Sequence, residues 1–195
     1  MEYPLVMQDT TVVCPNVNRL TAHIRWMVRR DISEVIAVER KCFEFPWSED
    51  DFLYCLRRRN SLGMVAEYGN VIVGFMIYEI PKDKIHLLNL AVAPKLQRCG
   101  IGTAMVTKLA NKLVTQNRSR VYLEVRECNL NAQLFFRSQG FLATKILKNY
   151  YDKTDEDAYV MQYQRQQQHA DTDRQVVTAN VDSLIGSRAS RPQLG

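Results

Sequence analysis

The sequence predicts a mixed α/β fold in one domain, and three stretches carry that prediction. Leu62 to Val92 reads as three consecutive strands, a β-meander. Leu90 to Met105, LAVAPKLQRCGIGTAM, reads as a strand end, a loop, and a helix that opens in a glycine turn. Arg120 to Arg126 then alternates cleanly, with Val121, Leu123 and Val125 on one face and Tyr122, Glu124 and Arg126 on the other. At 195 residues, with 46% hydrophobic and 24% charged content, one soluble domain with tails is the natural organisation.

Residues 1–22 show no clear periodicity and are read as an N-terminal extension of uncertain structure. Ala22 to Val28, AHIRWMV, alternates as a first strand. Asp31-Ile32-Ser33-Glu34 has the form of a capping box, with Asp31 as N-cap and Glu34 at N3 of a helix reaching about Lys41. Phe45-Pro46-Trp47 breaks that helix. Ser48 caps the next one, with acids at Glu49, Asp50 and Asp51 in its first turn.

The meander follows: Leu62 to Tyr68, a Gly69-Asn70 turn, Val71 to Ile80, and Lys84 to Val92. The last of these, IHLLNLAV, has the near-continuous apolarity of a strand buried on both faces. After the glycine loop, Ile101, Met105, Leu109 and Leu113 recur every four residues, which predicts an amphipathic helix ending near Asn117. Asn129 to Gln139 is a short helix closed by Gly140. Phe141 to Leu147 and Ala158 to Tyr163 are the final strands, separated by Asn149-Tyr150-Tyr151 and an acidic loop. Residues 164–195 are rich in Gln, Ser, Arg and Asp and lack aromatics, so they are expected to be a disordered tail. The folded domain is thus expected over 23–163.

The net charge is +5 and the pI about 9.0. A mild positive balance suits a phosphate-bearing ligand, and equally a solvated basic face. The five cysteines form no C-x-x-C pair, which suggests neither a disulfide framework nor a zinc site. His23, His86 and His169 show no spacing for a metal or a catalytic triad. No apolar run approaches the ~18 residues of a membrane span, and the N-terminus lacks a signal-peptide layout. A cytoplasmic protein with no metal and no membrane association is therefore expected. No aromatic–basic RNA-binding motif is present, so no direct nucleic-acid binding is expected.

The chemistry starts at Gln97-Arg98-Cys99-Gly100-Ile101-Gly102. Two glycines at i and i+2 at a helix start let backbone N–H groups turn outward, and the helix dipole adds positive charge there. Such a loop favours an anion. It is not a Walker A loop, because G-x-x-x-x-G-K-[ST] is absent. It also lacks the third glycine and the tight strand-to-helix turn of a dinucleotide-binding unit.

Q-x-x-G-x-G after a strand reading LAV, followed by an amphipathic helix and an acid-bearing strand, resembles the GNAT superfamily of acetyl-CoA-dependent N-acetyltransferases. Phe45-Pro46-Trp47-Ser48, Leu123-Glu124-Val125-Arg126, Asn129, Gly140-Phe141 and Asn149-Tyr150-Tyr151 narrow the resemblance to the RimI-type ribosomal-protein-alanine N-acetyltransferases. The resemblance covers about Ile24 to Gln162. It implies a mixed, mostly antiparallel central sheet flanked by helices, with strands splayed at the acetyl-CoA site. It implies that backbone N–H groups of Arg98, Cys99, Gly100, Ile101, Gly102 and Thr103 hold the pyrophosphate. The backbone of Leu90, Ala91 and Val92 pairs with the pantetheine amides, and Asn129 hydrogen-bonds the cofactor near its thiol. The implied partners are acetyl-CoA and a protein N-terminus, that of a small-subunit ribosomal protein in the narrowest form.

Glu124 is the expected base. A protein α-amine has a pKa near ~8, so at neutral pH it is mostly ammonium and cannot attack a thioester until a carboxylate in reach takes its proton. The family's general-acid tyrosine, in the helix before the Gly-Phe pair, falls on Phe136, whose phenyl ring has no proton to give. Tyr150 is the expected substitute, with Tyr151, Tyr122, water or an unassisted thiolate as alternatives. Phe45 and Trp47 are candidates for the peptide-binding wall. Cys99 and Cys128 lie close enough in sequence to the cofactor residues to raise a covalent acetyl-cysteine, but the superfamily transfers directly. Another amine acceptor, and a non-catalytic acyl-CoA-binding module, remain open alternatives.

Overall fold

A computed structural model of the chain describes residues 20–164. The expected tail from 165 onward, and most of the expected N-terminal extension, lie outside these residues, while Gln164 belongs to the last strand and not to the tail. Among them a seven-stranded sheet runs in the order β1-β2-β3-β4-β5-β7-β6. Its strands are β1 (His23–Trp26), β2 (Ser61–Tyr68), β3 (Val71–Glu79), β4 (Lys84–Val92), β5 (Arg120–Arg126), β6 (Leu142–Tyr151) and β7 (Glu156–Gln164). Every neighbouring pair is antiparallel except β4 and β5. A parallel pair needs a crossover, and the helix after the glycine loop supplies it.

Four α-helices cover the sheet: α1 (Ile32–Cys42), α2 (Glu49–Arg57), α3 (Ile101–Thr115) and α4 (Leu130–Ser138). They divide the apolar residues into two layers. Ile101, Met105, Leu109 and Leu113 of α3 pack with Met64, Met76, Val121 and Leu123 on one face. Val35, Ile36 and Val38 of α1 and Phe52 of α2 pack with Val65, Phe75 and Ile77 on the other. Successive residues of β3 thus feed opposite cores, as the period of two requires.

The turn chemistry follows the sequence. Gly69 and Asn70 both have positive φ, 59° and 63°, as a two-residue primed turn demands. Ser48 accepts from the Asp51 N–H while the Asp51 carboxylate accepts from the Ser48 N–H, which closes the expected capping box of α2. Gly140, at φ 87°, ends α4.

Three expectations need correction. The Asp31–Glu34 capping box does not form. Asp31 instead ends a 3-10 turn over Arg29–Asp31, where its carboxylate accepts from the Val28 N–H and takes a bidentate Arg25 guanidinium at 2.7 and 2.9 Å. Glu34 reaches across to the Ile72 N–H, 3.0 Å away. Tertiary partners outcompete the local cap because they are charged or otherwise unpaired. Second, the strand buried on both faces is β3, whereas β4 alternates between buried and half-buried positions. Third, Asn149-Tyr150-Tyr151 is not a linker: β6 runs through it to Tyr151, which pairs with Glu156.

Arg25 beside Asp31 holds that carboxyl below the usual carboxylate range. A depressed folded-state pKa means stability that is present above the unfolded pKa and lost as pH falls through the folded value. Asp31→Asn keeps the shape and removes the charge. It is expected to cost about 2–3 kcal/mol at neutral pH in urea unfolding, with the gap to wild type narrowing below about pH 4.

Candidate active site

The site begins where β4 and β5 part. Their parallel ladder pairs Lys84 with Arg120, Ile85 with Val121 and His86 with Tyr122, and pairing stops there. Just beyond, β4 carries a bulge: Tyr78 faces Leu87 and Ile77 faces Asn89, so Leu88 has no opposite residue on β3. The bend turns β4 away from β5 and opens a cavity of about 540 Å³ between them. This explains the half-buried positions of β4, since one of its sides faces the gap.

Backbone alternation decides which amides face that gap. The Ala93 N–H donates to the Val73 carbonyl, and the register continues from Gly74–Val92 through Phe75–Ala91 to Met76–Leu90. Hydrogen-bonded and non-bonded pairs alternate in an antiparallel ladder, so Ala91 spends its N–H and C=O on Phe75. Leu90 and Val92 direct theirs towards the gap. The Val92 carbonyl already accepts from Gln97 Nε2 at 3.1 Å.

At the end of β4 the glycine loop turns the chain into α3. Arg98 and Gly100 both have positive φ, 65° and 87°, and Gly100 is the N-cap. The first helical hydrogen bond runs from the Ala104 N–H to the Gly100 carbonyl, so the N–H groups of Ile101, Gly102 and Thr103 precede the intrahelical ladder. A Cβ on Gly102 would sit 3.2 Å from Phe135 Cζ, which ties the helix start to α4.

Of the expected site residues, Leu90, Glu124, Asn129, Tyr150, Phe45 and Trp47 line the one cavity. Ala91, Val92 and Arg98 to Thr103 do not, and follow from its β4 end along the loop to α3. Asn129 caps α4 by accepting from the Ala132 N–H at 3.1 Å, which leaves its Nδ2 as a spare donor. Trp47 stacks edge-on to Phe52, with centroids 5.4 Å apart, so it both packs and lines the wall. Phe136 is buried against Phe135 and Phe141 and puts a ring without a hydroxyl into the cavity.

Glu124 is held by one contact. His86 Nε2 lies 2.5 Å from its Oε2, and no other hydrogen bond reaches the carboxylate among the described residues. No spacing in the sequence links His86 to Glu124, because the two residues sit on different strands 38 positions apart. Glu39 was also missed. It is 1% exposed on α1, accepts from the Trp47 N–H at 2.9 Å and from Asn89 Nδ2, and burial raises its pKa. Its signal was a carboxylate on the helix face that carries Val35 and Ile36. Across the cavity, burial and then the Glu124 charge raise the pKa of Tyr150, so its hydroxyl stays protonated through the neutral range. Burial pushes Tyr151 up to about 12.

The cysteines bear on the covalent alternative. Cys99 is disulfide-bonded, contrary to what the scattered spacing suggests, and so offers no thiol. The Cys128 thiol is raised by its hydrogen bond to Glu156, which disfavours the nucleophilic thiolate. No group of His, Cys, Asp and Glu suited to a metal occurs among the described residues, and no helix among them is long and apolar enough to cross a membrane.

A sheet that splays beyond the β4–β5 ladder, an anion-favouring loop at the mouth of the gap, and a carboxylate within it form a cleft whose chemistry suits an acyl-CoA. The chain belongs to the GNAT acetyltransferase family, whose model, described as "Acetyltransferase (GNAT) family", matches residues 32–141. It is an acetyl-CoA-dependent N-acetyltransferase. It is 33% identical over 133 residues to the [ribosomal protein bS18]-alanine N-acetyltransferase of Escherichia coli K12, covering 67% of this chain and 89% of that one. The Haemophilus ducreyi protein of the same description is 33% identical over 148 residues, covering 71% and 97%. The crystal structure of the ribosomal-protein-S18-alanine N-acetyltransferase from Escherichia coli superposes with a TM-score of 0.68 at 29% identity, covering 74% of this chain and 94% of that one.

Proposed function

We propose that this enzyme acetylates the α-amine of a protein N-terminus, and that its acceptor is the N-terminal alanine of a small-subunit ribosomal protein. The observation that carries the reading is the cavity in which the Glu124 carboxylate meets a wall of Phe45, Trp47, Tyr150 and Tyr151. Such a wall suits an extended peptide end, with aromatic faces for side chains. The narrower acceptor draws on the relatives at 33% identity, which are described as acting on alanine of bS18. The reading assigns the domain to 23–163 and the reaction to the cytoplasm.

The residues present suit coenzyme A. Leu90 and Val92 offer outward amides for the pantetheine arm, the N–H groups from Arg98 to Thr103 suit the pyrophosphate, and Asn129 Nδ2 suits a group near the thiol. The bound thioester supplies an activated acetyl group. Glu124 takes the ammonium proton, so that the amine nitrogen has a lone pair to form the new C–N bond. Tyr150 gives its hydroxyl proton to the sulfur as the C–S bond breaks and regains one from solvent, while the nitrogen, cationic after attack, loses its second proton to water and Glu124 releases the first. The net change is one acetamide, one thiol and one proton released.

Acetyl-CoA turnover across a panel of N-terminal peptides tests the acceptor. An alanine-first bS18 peptide is expected to exceed peptides with blocked or lysine-only amines by at least about tenfold in kcat/KM. Equal rates on lysine side chains would refute the α-amine assignment.

A further inference from the structure

We propose that His86 is the positioning residue for Glu124, holding one carboxylate oxygen so that the other faces the acceptor amine. The proposal rests on the reading of Glu124 as the base.

The two residues meet at the point where the sheet opens. His86 and Tyr122 form the last pair of the β4–β5 ladder, and Glu124 lies two residues beyond Tyr122 on the same face. The imidazole stacks on the Tyr122 ring, with centroids 4.2 Å apart and planes 10° from parallel. Stacking fixes the ring, and Nε2 then reaches Glu124 Oε2 at 2.5 Å. The two side chains are 19% and 14% exposed, so water competes weakly for either partner. Glu124 lines the cavity while His86 does not. The histidine therefore stands behind the carboxylate, with no access to the acceptor.

Charge follows from that arrangement. With a neutral imidazole protonated on Nε2, the ring donates to Oε2 and the pair carries one negative charge. Oε1 is then free to take the ammonium proton. Other charged and titratable groups face the pair: Tyr150 and Tyr151 stand close enough for the Glu124 charge to raise both. Glu79 sits opposite His86 on β3 and is bound by Arg58 at 2.5 Å. The Lys84 ammonium lies 4.8 Å from the Tyr122 ring centroid. Tyr122 itself is raised by burial, then by Glu124, Glu79, Tyr150 and Asp83, so it stays neutral where the enzyme works.

The test compares His86→Ala, His86→Gln and Glu124→Gln in the full chain, with kcat and both KM values measured from about pH 5.5 to 9 on an alanine-first peptide. His86→Ala is expected to lower kcat about 10–100-fold with KM for acetyl-CoA unchanged, because the base is present but misplaced. His86→Gln keeps an N–H donor for the same oxygen. It is expected to recover most of kcat, because one N–H to that oxygen is what positioning requires. Wild-type kcat in His86→Ala, alongside a collapsed Glu124→Gln, would overturn the proposal and leave the base reading standing. Wild-type turnover in Glu124→Gln would remove the base reading itself. If His86→Ala does not fold, His86→Asn, whose shorter amide cannot reach Glu124, decides, and wild-type kcat in it overturns the proposal.

Discussion

Glu124→Gln is expected to lower kcat by about 10²–10⁴-fold, the usual contribution of a positioned base, with acetyl-CoA affinity within a few-fold of wild type. The amide has nearly the same shape and can still meet His86 through its carbonyl oxygen or its NH₂ group, so packing around the site is retained. What disappears is a carboxylate that lines the cavity and keeps one oxygen clear of its His86 partner. Glu39 lines it too, but its carboxylate is spent on Trp47 and Asn89. Stopped-flow turnover with equilibrium binding of acetyl-CoA separates the two effects. In the same assay Tyr150→Phe is expected to cost less, about tenfold, since thiols have pKa near ~8.5 and leave readily without help. An unchanged rate and pH profile in Tyr150→Phe would end its assignment as the general acid.

Gly102→Glu is expected to raise KM for acetyl-CoA by about 10²-fold while the protein stays folded. A carboxylate in the first turn of α3 interacts favourably with the helix dipole, by about 0.3–1 kcal/mol, which offsets part of the close contact with Phe135. The same charge stands where the pyrophosphate is proposed to lie. Two like charges at 4 Å repel by about 4 kcal/mol at an effective dielectric of 20, enough for that loss even after partial screening. Gly102→Ala is the control for bulk: it meets Phe135 alike but adds no charge, and its KM is expected to rise only a few-fold. Isothermal titration with coenzyme A and a thermal melt of each variant check both halves. A Gly102→Glu protein that melts like wild type and binds coenzyme A equally well would remove the loop from the anion site.

The elements that were legible in sequence are those governed by local rules. β5 alternates in the structure as it does in the text, with Val121, Leu123 and Val125 buried. The capping box of α2, the Gly69-Asn70 turn and the four-residue rhythm of α3 each depend on neighbours within one turn or one hairpin. Where a residue had a choice between a local and a distant partner, local rules failed. Asp31 and Glu34 abandoned their cap for Arg25 and the Ile72 N–H. β4 looked buried on both faces because its composition is apolar, yet the bulge at Leu88 and the parting from β5 expose one side of it.

By itself, then, the sequence determined the kind of protein this is. The glycine turn before an amphipathic helix, the acid on an alternating strand and the asparagine at the next helix start are written in consecutive residues, because helix starts and strand faces obey periods of a few positions. The tertiary structure alone decided how the base is held. A hydrogen bond between His86 and Glu124 has no period, and neither does the burial of Glu39 against Asn89. Each exists because a parallel ladder ends at one particular pair and a bulge bends one strand away, and those are properties of the sheet as a whole.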